Sequence, residues 1–560
     1  MSKRGNSDSL LMNRRRFLGC LSATPLLGLS VSPAMALFST ILAGQSEKAW
    51  AAALGGQTRK LVLIQHGGGP ARYMFDQFYT PYSSAGFNPS PMVGTQFKKV
   101  GDRYIGHEYV THSVNGIQAG TMWTHNVPGP GNTQRPMADL LKNLLSLQGI
   151  NTKNAGHDTS QLWALLAPGA RRSASALAGD SSVTPFAALS LGTSSLVYKS
   201  AVGKSSVLAS LTNSGANDPL TRLLTPFKTN TGAAFNTDRA GIKSAYDSLL
   251  PMFDELSKQG HIGAQALVQN RSATLTLVET NFAALNSKWN ELFGKYQDLV
   301  TRSIYDPANP LSGFTDLPIG EGGSGPAELY RINEDEPGEA TYYPLHLAGD
   351  VRSVITPTTN FSGLAANFAM TEFALINGLS SSIGMSLSGI SALADPVSGT
   401  GSFNLTNDQH FVGAYPSLYF NFLQYRALAA CLLELITQLK GANIFNDTLI
   451  RYGGEFVRNT RLGQDGSDHG FNGTAYSHFC GAINGPVIIG NLTSNDARLG
   501  WGKGGFVPEL DRNTNLVDLA ILLAHLVKTD APFTSETPVA TLTSSGTVAS
   551  RIGLTTHVAS

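Results

Sequence analysis

Between Leu449 and His469 the chain reads LIRYGGEFVRNTRLGQDGSDH, and this stretch sets the strictest condition on the fold. Leu449, Ile450 and Tyr452 make a short apolar run that stops at Gly453-Gly454. A buried strand of an α/β sheet looks like this where it leaves the core. Directly beyond come Glu455 and Arg458, then a polar loop that closes on Asp468-His469. Ligands of open α/β sheets gather at the carboxyl ends of strands, so these four side chains fall where chemistry is expected. Carboxylate and imidazole together suit a divalent cation, and a guanidinium can hold an anion bidentately. The same residues equally read as a strand-end loop tied down by a Glu–Arg pair and an Asp N-cap.

A second strand end lies near the start of the chain. Arg59 to Ile64 (RKLVLI) is a continuous apolar run that opens into Gln65-His66-Gly67-Gly68-Gly69-Pro70. Without a Gly-Lys-Ser/Thr ending this is no nucleotide loop, and His66 is placed to point into a site. Residues 71–136 are turn-rich and irregular. The spacing then predicts an amphipathic helix over Met137–Gln148, stopped by Gly149. A further helix opens at His157-Asp158-Thr159-Ser160, where three residues suit an N-cap and the helix N-terminus would favour a bound anion.

Residues 200–235 read as loop. Apolar residues recur at helical spacing through 238–304, which predicts an inserted helical hairpin on one flank of the sheet. Helices are also expected over Leu364–Asn377, Tyr415–Lys440 and Asn515–Lys528, and strands over Ile383–Ile390 and Pro486–Gly490. Asp408 and His410 stand at i and i+2 in an extended segment, so both can reach one metal ion.

Composition narrows the setting. Only 14% of the 560 residues are charged and the net charge is +1, with no basic stripe, so nucleic acid is not expected as a partner. The N-terminus places Asn13-Arg14-Arg15-Arg16-Phe17-Leu18 before a mildly apolar run, Leu21 to Leu37, interrupted by Pro25 and Pro33. This is the pattern of a twin-arginine export signal rather than of a membrane span. Cleavage is expected after Ala36 or, preferably, Ala51, and the chain divides into a signal over about residues 1–52 and a mature domain over 53–560. Cys20 precedes the apolar run, which argues against a lipid anchor. The expected location is periplasmic or secreted, with the twin-arginine translocase as partner during export. Cys431 and Cys480 remain in the mature chain, as a pair or as two buried thiols.

Three motifs in order, Asn-Asp-Gln-His (407–410), Gly-Glu-Phe-Val-Arg (454–458) and Gly-Ser-Asp-His (466–469), follow a twin-arginine signal. Together they resemble an exported bacterial family that is similar to the alkaline phosphatase and sulfatase superfamily. The resemblance covers about residues 405–495, and more weakly 59–70 and 137–170. It implies a three-layer α/β fold with a mostly parallel sheet flanked by helices. It also implies a divalent metal ion (Zn, Mn, Mg or Ca) held by Asp408, His410, Glu455, Asp468 and His469, with His66 near the first-strand position. The hydroxyl candidates for a nucleophile are Thr159 and Ser160, and Arg458 or His157 would stabilise charge on the transferred group. The implied activity is hydrolysis of a phosphate or sulfate ester on a small or polymeric substrate. The chain departs from the superfamily by carrying Gln65-His66 where an Asp usually ends the first strand, and it has no Cys-x-Pro-x-Arg sequence. The alternative is a periplasmic binding or assembly protein that keeps the fold without catalysis.

Overall fold

Short apolar runs that are buried along their whole length build the centre of the molecule. In the computed structural model β1 (Lys60–His66) and β6 (Thr448–Gly454) are buried at every position, as strands covered on both faces must be. The structure describes residues 59–78, 96–100, 103–108, 110–152, 156–166, 170, 172–180, 187–191, 198–201, 206–209, 251, 254–255, 258–259, 289–306, 308–310, 362–376, 378–387, 390–394, 402–405, 414–456, 458–460, 467–469 and 473–490. The elements that follow belong to one compact unit, made of residues 58–182, 186–217 and 289–560.

The remaining strands of the main sheet are β2 (Leu144–Asn151), β3 (Ala188–Leu191), β4 (Ser206–Ala209), β5 (Ser382–Leu387), β7 (Gly473–Phe479) and β8 (Val487–Gly490). Their order across the sheet is β4-β3-β5-β1-β6-β7-β2-β8. Among the described residues every adjacent pair is parallel except the two that β7 makes, so seven of these strands run one way and β7 runs against them. The register of β1 on β6 sets Gln65 opposite Gly453 and His66 opposite Gly454. Two carboxyl ends thus leave the sheet side by side.

The helices are α1 (His157–Leu165), α2 (Ala174–Gly179), α3 over residues 289–305, α4 (Ser362–Ile376) and α5 (Ala414–Gly441). They cover both faces. Consecutive strand residues point to opposite sides. Tyr452 shares His66 with Gln424 of α5, whereas Arg451, one residue earlier, donates to the Ala164 carbonyl of α1 at 3.2 Å. The α/β class and the mostly parallel, helix-flanked sheet expected from the sequence are therefore present.

Several local expectations change. Met137–Asn143 is a 3₁₀ turn, and Leu144–Asn151 is a sheet strand rather than the second half of a helix. A short apolar run serves either state, and here burial between β7 and β8 decides it. Ser206–Ala209 is a strand inside the expected loop. The described residues of 71–136 contain three two-stranded ribbons: Gln96–Val100 with Arg103–Glu108, Thr111–Val114 with Ile117–Gly120, and Asn126–Gly129 with Thr133–Pro136. The last helix of the expected 238–304 insertion, α3, belongs to the core unit, where Trp289, Tyr296, Leu299 and Val300 are fully or almost fully buried. Asn515–Lys528 lies outside the described residues. Cys431 and Cys480 are both buried and unpaired with each other, and burial pushes both thiols up, Cys480 to about 12. No helix of the described residues is long and apolar enough to cross a membrane.

Candidate functional site

The site grows out of the two neighbouring strand ends. Past Gly454 the chain turns and presents Glu455, whose side chain is only 4% exposed. A carboxylate this deep needs donors, and two segments supply them. Gly68, from the loop that follows β1, donates its backbone N–H to Glu455 Oε1 at 3.0 Å. His157, the first residue of α1, donates Nδ1–H to Glu455 Oε2 at 2.5 Å.

The local sequence explains both contacts. A Cβ on Gly67 would lie 3.2 Å from Glu455 Oε1 and 3.3 Å from Gln161 Nε2, so the loop approaches as closely as it does because it carries no side chain there. Gly68 and Gly69 follow with φ of 82° and 59°, the left-handed region that glycine adopts without steric penalty. On the other side, Gly156 precedes α1 in extended conformation and the Ser160 N–H bonds back to its carbonyl at 2.9 Å. This leaves His157 at the positive end of the helix dipole, where a carboxylate partner is favourable. The His157 side chain is 30% exposed and lies against the Phe456 ring at 4.9 Å between centroids. Glu455 is therefore the buried, fixed member of the pair and His157 the member that reaches solvent.

His66 is occupied otherwise. It is fully buried, its Nε2 donates to Gln424 Oε1 at 3.1 Å and its Nδ1 accepts the Tyr452 hydroxyl at 2.9 Å. Burial and the Arg72 cation push its pKa down to about 3. Both ring nitrogens are engaged by protein groups beside a positive charge. His66, expected among the metal ligands, thus sits in the core in this structure with both ring nitrogens bonded to protein groups. Ser160 is also fully buried, inside the first turn of α1, so its hydroxyl is not presented as a nucleophile.

The remaining expected residues come from the segment after Glu455 and from the loop before α5. A two-stranded antiparallel ribbon sets Arg458 opposite His469 and Asn459 opposite Asp468, so the backbone of Asp468-His469 folds back beside the chain that has just left Glu455. The side chains of these residues, and Asp408 and His410 altogether, lie outside the described residues. Among the described residues no group of three or more His, Cys, Asp or Glu is arranged to hold a metal ion. Both oxygens of Glu455 already accept a hydrogen bond.

The fold and this strand-end pair define a class: an α/β protein whose buried carboxylate orients a half-exposed imidazole at the carboxyl edge of its sheet. Comparison with protein families, with curated proteins and with solved structures found no match. Sequence reasoning picked out Glu455 and His157 separately and quoted the loop that carries Gly68, but it gave no part to Gly68, to the buried Arg72–Asp76 ion pair at 2.5 Å or to Thr474, which Arg72 reaches at 3.2 Å. For Arg72 and Asp76 the signal was an i, i+4 charge pair directly after a glycine-rich strand end.

Proposed function

We propose that the protein is an exported hydrolase of phosphate or sulfate esters of the alkaline phosphatase-like type, working at the carboxyl edge of the sheet. The observation that carries this reading is the Glu455–His157 contact at 2.5 Å, with the imidazole on the solvent side. A carboxylate that accepts a hydrogen bond from Nδ1–H fixes the tautomer in which Nε2 is the base, and it stabilises the imidazolium once formed. His157 then removes a proton from water or a hydroxyl as that oxygen attacks the ester, and returns it to the leaving oxygen. Arg458, three residues past Glu455, is the proposed partner for charge on the transferred group.

The divalent ion is the part of the proposal that rests on the sequence resemblance, through Asp408, His410, Asp468 and His469 next to Glu455. Bound there, it would polarise the ester oxygen. The second reading, a binding or assembly protein without catalysis, is favoured by one observation. The histidine that ends the first strand is sealed in the core with both nitrogens bonded.

Aryl phosphate and aryl sulfate hydrolysis by the exported protein, with elemental analysis of the same sample, separates the two. Glu455→Gln and His157→Gln should each lower kcat by roughly 10²-fold or more while the fold is kept. A wild-type protein that binds no metal and hydrolyses neither ester would leave the binding reading in place.

A further inference from the structure

The loop that leaves β1 buries an ion pair. The side chains of Arg72 and Asp76 are 0% and 1% exposed, with Nε on Oδ1 at 2.9 Å and Nη2 on Oδ2 at 2.5 Å. A tight turn brings them together, in which the amides of Phe75, Asp76 and Gln77 all donate to the Arg72 carbonyl. Desolvation offsets much of the attraction in a pair this deep, and apolar residues of equal volume often stabilise a core as well. What the pair adds is direction, and its bonds show where it is aimed.

Both partners are tied to β7. Arg72 Nη1 donates to Thr474 Oγ1 at 3.2 Å, and Ser477 Oγ donates to Asp76 Oδ2 at 2.9 Å. Residues three apart on a regular strand face opposite sides. The pairing of β7 with β2 shifts register between Thr474 and Ala475, and such irregularities re-aim side chains. Thr474 Oγ1 also lies 3.5 Å from the carbonyl oxygen of Gly454, the residue before Glu455. Arg72 packs on Gly454 directly, since a Cβ there would stand 3.5 Å from Arg72 Cδ and Nη1. Four residues ahead of Arg72 in the same loop is Gly68, whose N–H holds Glu455 Oε1.

We infer that Arg72 and Asp76 are positioning residues for the Glu455–His157 pair. Anchored on Thr474 and Ser477, they fix Gly454 on one side and the glycine loop on the other, so that one carboxylate meets the Gly68 N–H and the His157 imidazole together. The inference rests on that pair being the functional centre, but it is read without any substrate.

The test is proton NMR of the full-length protein labelled with ¹⁵N-histidine. An imidazole N–H held this close to a carboxylate gives a far-downfield proton, and His157→Gln assigns it. Thr474→Val keeps both charges and removes only the hydroxyl that joins Arg72 to Gly454, whereas Asp76→Asn breaks the pair itself. The signal is expected in the wild type, absent in Glu455→Gln, and lost or moved upfield in Thr474→Val and Asp76→Asn. If Asp76→Asn does not fold, Thr474→Val decides alone. An unchanged downfield proton in folded Thr474→Val overturns the inference, as does a wild type with no such proton. A wild type that shows the expected pattern but hydrolyses no ester supports the positioning role while removing the hydrolase reading.

Discussion

His66 and His478 are both fully buried and both held down to about 3, each by burial first and a neighbouring arginine second. Their ordinary value is 6.5, so between about 3 and 6.5 the unfolded chain takes up protons that the folded chain refuses. The sign follows: the stability they contribute is complete above about 6.5 and is lost as pH falls through that window. Each site removes about 1.4 kcal/mol per pH unit once well below 6.5. Urea unfolding at pH 7, 6 and 5 should therefore show falling stability, and His66→Gln should flatten that slope by about one proton. An identical slope in the variant would mean that His66 is protonated in the folded protein.

At the scale of elements, α3 decides where the core ends. Its Lys295 bridges two buried carboxylates from different helices, Glu372 of α4 at 2.8 Å and Glu434 of α5 at 3.0 Å. Tyr296 adds a hydroxyl bond to Glu372 at 2.7 Å, and Arg135 reaches Glu434 at 3.2 Å. Three helices are thus joined through one ammonium. Lys295→Met would take the ammonium away from Glu372 and leave Arg135 as the cation on Glu434, and we expect a loss of about 3 kcal/mol in urea unfolding. Deleting residues 238–304 takes away this helix with its buried Trp289 and Tyr296, so that deletion should abolish soluble expression. Recovery of folded protein from it would make α3 dispensable.

Across the whole molecule the sheet joins distant parts of the chain. β1, near residue 60, lies between strands that begin at Ser382 and Thr448, and β2 near residue 150 pairs with β7 and β8 beyond residue 470. Such long-range pairing completes only after most of the chain exists and is slow to form. Folding before export, which the twin-arginine reading proposes, would suit a chain with pairing of this kind. Arg14→Lys with Arg15→Lys should hold the folded protein in the cytoplasm, read by fractionation and immunoblot. Normal export of the double variant would remove the twin-arginine assignment.

The sequence by itself determined the elements whose signal is local. A run of apolar residues ending in Gly453-Gly454 specified a buried strand with Glu455 at its exit, and helical spacing over 26 or so positions specified α5. What each exposed or buried polar group would meet was decided by tertiary structure alone. Glu455 and His157 are 298 residues apart, and no periodicity encodes their encounter. His66 looked like a site residue because it ends a strand, but the packing of α5 and Tyr452 against it made it a core residue. Leu144–Asn151 had enough apolar character for helix or strand, and the open edge of β7 took it as a strand. The physical reason is common to all three. Burial is a property of a segment, whereas a hydrogen-bond partner belongs to whatever the returning chain places beside it.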